Sequence, residues 1–446
     1  MPKTSRNPKR TKVPKRRKSA TDPGMEGAWS TRAVWPIVAG SKALSVNRET
    51  VKLISIITLS LLLLCVGCSN DRSRTERHVA ARNAHLAEIA RLDSQGLALD
   101  QSTLVELATH QWAAGLYDDA QRSFERALET SEDPRTRRKL AGLLYERGRY
   151  LQSAAVARVD PVSIDASESV WLHELFQLLD VSSAHPAGAS STAPPDTPGA
   201  SMVNTIGMTL VSIPGATFDR GEASGDADQQ PVRPISVSPY RIGAHEVTIG
   251  QFKMFLEDTD YTRVARGNPT FAGVLDTHPA YGIAWTDAVA FTIWLSAREQ
   301  AIYRLPTEAE WELAARGPQG YREPWGNDAG RPQVDGNWGR TSLKDFRATP
   351  PPTEPVGSFP RDRTPFGLFD IAGNVREWCL DDYDATYYAW SPERDPYGPA
   401  EPIGAMVLRG GAWNDPGPSG FAVKRSKAAQ NQAYTGYGFR VVRETR

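Results

Sequence analysis

The stretch Arg304-Leu305-Pro306-Thr307-Glu308-Ala309-Glu310-Trp311-Glu312 decides the fold of the C-terminal half. Thr307 followed three residues later by Glu310 is a capping box, in which the hydroxyl and the carboxylate each take an orphan backbone N–H at a helix start. Trp311 and Leu313 then supply apolar bulk for that helix to bury. Just upstream, Thr286 is placed to cap a helix running to Arg298, with Phe291, Trp294 and Leu295 on one buried face. Residues 207–215 alternate and then turn, so they read as a strand, and residues 235–242 and 246–248 read the same way. Elsewhere in this half Trp, Tyr, Gly and Pro are dense, and long periodic helices are confined to these two. Such a domain depends for its order on aromatic packing and on fixed polar or metal contacts.

Three further stretches follow in order: Gly367-Leu368-Phe369-Asp370-Ile371-Ala372-Gly373-Asn374-Val375-Arg376-Glu377-Trp378, then Arg409-Gly410-Gly411-Ala412-Trp413, then Gly438-Phe439-Arg440. Together with residues 304–312 they resemble the successive signatures of the formylglycine-generating enzyme (sulfatase-modifying factor) family, over residues 205–444. The resemblance implies an α+β fold, C-type-lectin-like and low in regular secondary structure. It also implies bound calcium and, in active members, copper-dependent oxidation of a substrate-peptide cysteine to formylglycine.

Asp370 and Glu377 flank the Gly373-Asn374 turn, and two carboxylates with intervening carbonyls offer the all-oxygen shell that calcium prefers. The resemblance maps one family calcium site onto the Asp370 side chain, the carbonyls of Gly373 and Val375, and Glu377. Asp370 stands where the family has an amide. The alternative is a Glu377 paired with Arg376 or Arg440. The family's other calcium site falls on Asn337 and Trp338, with Asp345 the nearest acidic partner, and the loop after it is about three residues longer than the family pattern.

Active members carry two cysteines, four residues apart, shortly after the Gly-Gly-Ser turn, and two thiolates suit copper(I). Here Asp415 and Gly420 stand at those positions and Ala412 replaces the serine. Copper is therefore not expected. Cys379, after Glu377-Trp378, reads as a small buried hydrophobe. A substrate groove would be rimmed by Trp413, Asn414 and Asp415. His78, His85, His110 and His173 share no helix-face spacing, and with His245 and His278 they read as structural or exposed.

The N-terminal half is organised differently. Residues 72–180 are rich in Ala, Leu, Glu and Arg, a helix-forming composition. A shift of 33 maps Leu107 onto Leu140, Gly115 onto Gly148 and Tyr117 onto Tyr150, an echo similar to a tetratricopeptide repeat. A plain helical bundle is the alternative. Helices are expected at 76–92 and 170–179, capping the stack or leaning with it on the next domain. Residues 181–204 are mostly Pro, Ser, Ala and Gly and read as a linker.

The apolar run 53–66 suits a signal-peptide core better than a bilayer span. It ends in Leu64-Cys65-Val66-Gly67-Cys68, which resembles a lipoprotein box with Cys68 as the lipidated residue, although Cys65 stands where the box usually has Leu. An uncleaved membrane anchor is the alternative reading of residues 51–68. Residues 1–50 read as a disordered basic segment, with nine Lys or Arg and no acid in the first 18, and as an over-extended translation start. Lys plus Arg and Asp plus Glu both number 52, so no overall field points to nucleic acid. The expectation is an envelope protein, membrane-anchored and facing the periplasm or exterior, that binds a protein, peptide or glycan. An oxidoreductase of the formylglycine-generating type is the alternative.

Overall fold

Local helix signals in residues 71–157 become five helices: α1 (Asp71–Asp93), α2 (Gln101–Ala113), α3 (Tyr117–Thr130), α4 (Pro134–Glu146) and α5 (Tyr150–Ala157). The computed structural model describes residues 71–94, 99–157, 200–259, 261, 271–400, 404–417 and 420–445. The apolar run at 53–66, Cys68, the helix expected at 170–179 and most of the linker lie outside the described residues. Among the described residues no helix is long and apolar enough to cross a membrane.

The 33-residue echo is a structural period. Asp100 caps α2 by accepting the N–H of Thr103 at 2.8 Å, and Asp133 caps α4 by accepting that of Thr136 at 2.8 Å. The turn after each helix repeats as well. Gly115 N–H donates to Trp112 O at 2.8 Å and Gly148 N–H to Tyr145 O at 2.9 Å, with φ of 76° and 71°. Both φ values lie in the left-handed region that glycine enters without a Cβ clash. Leu107, Leu140, Tyr117 and Tyr150 are all buried.

The α+β domain opens with β1 (Ser201–Val203), inside the stretch read as linker. A three-residue strand owes its order to its partner: Met202 faces Leu210 on β2 (Thr209–Ile213). A two-stranded ribbon follows, β3 (Ala216–Arg220) with β4 (Arg233–Val237), and then β5 (Tyr240–Gly243). Residues 246–248 are not a strand. Glu246 is buried, and Thr248 starts a helix, α6 (Ile249–Thr259), where Thr248 Oγ1 and Gln251 Oε1 each accept the other residue's backbone N–H. That helix, with Phe252 and Phe255 wholly buried, is absent from the sequence-based expectation.

Helix α7 (Trp285–Glu299) begins earlier than expected. Asp287 Oδ2, rather than Thr286, accepts the N–H of the cap residue Ala284 at 3.0 Å. The helix is buried on nearly all sides, because the Thr292 and Ser296 hydroxyls bond carbonyls within their own helix. After β6 (Tyr303–Arg304), helix α8 (Glu308–Arg316) starts at the capping box as read, Glu310 N–H to Thr307 Oγ1 at 3.2 Å and Thr307 N–H to Glu310 Oε2 at 2.7 Å. Short helices α9 (Leu343–Phe346) and α10 (Tyr387–Trp390) sit in loops.

The remaining strands are β7 (Arg376–Asp382), β8 (Ala405–Arg409), β9 (Arg425–Ala429), β10 (Tyr437–Gly438) and β11 (Val442–Glu444). One sheet runs β1-β2-β5-β11-β6, so the C-terminal strand is inserted between the domain's early strands; a second runs β10-β7-β8-β9. The architecture is α+β.

The helical region rests on this domain. His78 stacks on Trp390 with ring centres 4.6 Å apart, Arg74 pairs with Asp384 at 2.8 Å and Arg149 with Glu444 at 3.2 Å. Ala141 and Tyr150 enter the core that contains Phe291, Trp294 and Phe439.

Candidate functional site

The acids of residues 308–312 all point inward. Glu308 accepts from Arg220 Nη2 at 2.8 Å and Arg425 Nε at 2.6 Å, and Glu312 accepts from Arg409 Nη2 at 2.8 Å and Tyr388 Oη at 2.8 Å. Against the upward push of burial, Arg425, Arg220 and Arg409 hold the Glu308 carboxyl down to about 2. Glu310 is gripped by two nitrogens of Arg304, each at 2.7 Å. These signature residues thus form an ion-pair lattice linking α8 to β3, β6, β8 and β9.

The turn at 370–377 is a second buried knot. Glu377 accepts from Arg440 Nε at 2.5 Å, Arg440 Nη2 at 2.6 Å and Trp311 Nε1 at 2.8 Å, which is the ion-paired alternative. Asp370 and Asn374 both have left-handed backbones, φ 64° and 65°. Asp370 Oδ2 accepts the Gly357 N–H at 2.7 Å, and the Asn374 amide bonds Glu246, Asn337 and Glu354. Glu246 takes the Val375 N–H, and Asp362 takes those of Ile371 and Ala372. Burial pushes Asp370 up to about 7; burial together with the charge of Asp370 pushes Glu246 and Asp362 well above the carboxylate range. Four buried carboxylates here face one guanidinium, Arg440, among the described residues.

Oxygen donors are the kind of ligand calcium takes, and Glu377 could join such a set only by giving up Arg440. At the other expected calcium site Asn337 Oδ1 is taken by Arg340 Nε at 2.9 Å. Trp338 is buried there, stacked with Trp325. Asp345 is half-buried and bonded to Ser342, capping α9, so the acidic partner assumed for that site is spent elsewhere.

The three expected groove residues part company. Trp413 is buried and its indole N–H donates to Thr435 O at 3.2 Å. Asp415 is buried as well, paired with Arg376 and accepting the Ala412 N–H at 2.9 Å. Neither forms a rim: Trp413 is tied down to Thr435 and Asp415 to Arg376. Asn414 lies partly exposed and donates to Tyr434 Oη at 2.9 Å. The surface beside it is made by Tyr434 and by Phe346, which is 49% exposed and packs against Trp413 at 5.7 Å. Phe346 lies in the loop that runs longer than the family pattern, the one signal that pointed to it.

At Gly420, the other position expected to match a family cysteine, φ is 75°, and a Cβ there would lie 2.6 Å from Val423 Cγ2. Its N–H and that of Phe421 are held by Glu323 at 2.8 and 3.0 Å. Cys379 is wholly buried, and burial, with Asp381 and Glu308 nearby, pushes its thiol well above the usual range. It therefore packs as a small hydrophobe and offers no thiolate.

Histidine spacing along the chain missed one juxtaposition. His85 on α1 and His110 on α2 bring their Nδ1 atoms to 2.9 Å. His245 stacks on Phe369, and burial together with Arg440 lowers it to about 4. His278 bonds Thr353.

Residues 197–445 match the sulfatase-modifying factor enzyme 1-like domain. Over 250 residues the chain is 32% identical to the serine/threonine-protein kinase pkn1 of Chlamydia caviae, a match covering 52% of this chain and 37% of that protein. The chain thus spans well under half the length of that relative. It is 32% identical over 267 residues to the formylglycine-generating enzyme of Thermomonospora curvata, covering 47% of this chain and 83% of the enzyme. Among solved structures it is similar to PvdO from Pseudomonas aeruginosa, at 26% identity and a TM-score of 0.49, over 56% of this chain and 99% of that one.

Proposed function

This chain belongs to the sulfatase-modifying factor enzyme 1-like family, and from that premise we propose that its C-terminal domain binds a peptide, protein segment or glycan without oxidising it. One observation carries the reading. At the two positions where active relatives place thiols, one side chain is a carboxylate locked to Arg376, and the other is a left-handed glycine whose Cβ space is filled by Val423. A carboxylate is a hard ligand and glycine has none, so the residues present do not fit a copper(I) centre. The binding face is the surface of Phe346, Asn414 and Tyr434.

Calcium belongs to the proposal as a structural ion on Asp370 and the carbonyls of Gly373 and Val375, with Glu377 recruited from Arg440. When bound it would supply positive charge to a buried turn rich in carboxylates. We place the protein in the cell envelope, anchored at Cys68 by lipid or by an uncleaved helix, with the helical region a tetratricopeptide-like spacer or docking arm.

The purified protein, incubated with copper, reductant, oxygen and a Cys-x-Pro-x-Arg peptide, should leave the peptide mass unchanged. Loss of the cysteine sulfur above a metal-free control would replace the binding reading with an oxidoreductase. If peptide is bound, Phe346→Ala and Asn414→Ala should weaken it; no effect from either moves the binding face elsewhere.

A further inference from the structure

His85 and Glu88 are three residues apart on α1, and Glu106 and His110 are four apart on α2, so each pair shares a helix face. The packing of α1 on α2 brings the two faces together. Glu88, Glu106 and His110 each place a ligand-type atom within 4.8 Å of the others, and His85 Nδ1 reaches His110 Nδ1 at 2.9 Å. We propose that Glu88, Glu106 and His110 bind a divalent transition-metal ion, with Zn2+ the best fit, and that His85 is a positioning residue that orients the His110 ring.

The chemistry of the set favours this ion. Imidazole with two carboxylates is a borderline donor set that zinc accepts in three-protein-ligand sites, leaving a position for water. Two ring nitrogens 2.9 Å apart require at least one neutral ring, because two imidazoliums present only N–H donors to each other. A hydrogen bond to the second nitrogen of a ligating imidazole is the usual device for fixing its tautomer and orientation.

Arg91 now sits among these groups, 2.6 Å from Glu88 and 3.7 Å from Glu106. Its side chain is 47% exposed and can swing into solvent when an ion enters. An exposed ion pair of this kind contributes little, so displacing it costs little. The bound ion would pin α1 to α2.

The test uses the full protein, stripped of metal and titrated with Zn2+ alone at neutral pH, read by calorimetry and by melting temperature. One ion per chain is expected at this site. His110→Ala and Glu106→Gln should each weaken it roughly tenfold or more. His85→Ala should also weaken it, and His85→Asn, which keeps a hydrogen-bonding group, should restore much of the loss. Arg91→Ala should tighten binding by removing the competitor, a gain that misfolding cannot produce. Absence of zinc binding, or affinity unchanged in both His110→Ala and Glu106→Gln, would overturn the proposal and leave the cluster as an Arg91 ion-pair network.

Discussion

Glu308 and Asp381 are bonded neighbours, Glu308 N–H to Asp381 Oδ2 at 2.8 Å, yet they titrate in opposite directions. Three guanidiniums reach Glu308, whose folded carboxyl sits near 2. Its stabilising contribution is therefore full above its ordinary 4.5 and is lost as pH falls through about 2. Asp381 lies behind it, where burial and the Glu308 charge push it up to about 8, and its Oδ1 has no partner. The protonated Asp381 is the form the fold favours. Its contribution is full below 3.8 and is lost as pH rises through about 8. Asp381→Asn keeps an oxygen for the Glu308 N–H and removes the charge. It should raise stability by about 1–3 kcal/mol under alkaline conditions and by little under acid, as read by urea midpoints at two pH values. The capping box in residues 304–312 was legible from spacing alone. That Glu308 and Glu312 serve Arg220, Arg409 and Arg425 was not, since those arginines lie on strands far along the chain.

At the scale of elements, the helical hairpins were the most legible part, because their caps and turn glycines recur 33 residues apart. The turn at Gly148 does double duty. Its φ of 71° calls for glycine, and a Cβ there would lie 2.6 Å from Arg304 Cβ, in the residue that grips Glu310 and Glu444. Gly148→Ala should therefore cost about 2 kcal/mol or more. It should also loosen the helices from the domain, measurable as faster proteolysis within residues 99–157 with the domain core still protected. Helix α6 shows how a local signal is overlooked. Thr248-Ile249-Gly250-Gln251 is a capping box in its own right, but the β-branched residues before it read as a strand. Helix α7 failed in a different respect: Asp287 out-competed Thr286 as the capping group because a carboxylate can reach back to the Ala284 N–H.

At the scale of the whole molecule, two predictions concern what holds the protein together and where it resides. Chelation of calcium should lower the melting temperature of the protein, and Asp370→Ala should abolish that sensitivity. A melting temperature indifferent to chelator would leave the 370–377 turn as a protonated hydrogen-bond network around Arg440. Cys68→Ser should shift the protein out of the membrane fraction or leave an unprocessed precursor; unchanged size and fractionation would argue against lipidation. The sequence by itself determined the family, the α+β class and the helical period, because each is written in residue identities at short spacing. Tertiary structure alone decided which charges are used and on what. It paired Glu377 with Arg440 and Asp415 with Arg376, sank Trp413, exposed Phe346 and brought His85 to His110. The physical reason is that a buried charge must find its counter-charge in space, and the chain supplies those partners from positions tens to hundreds of residues away.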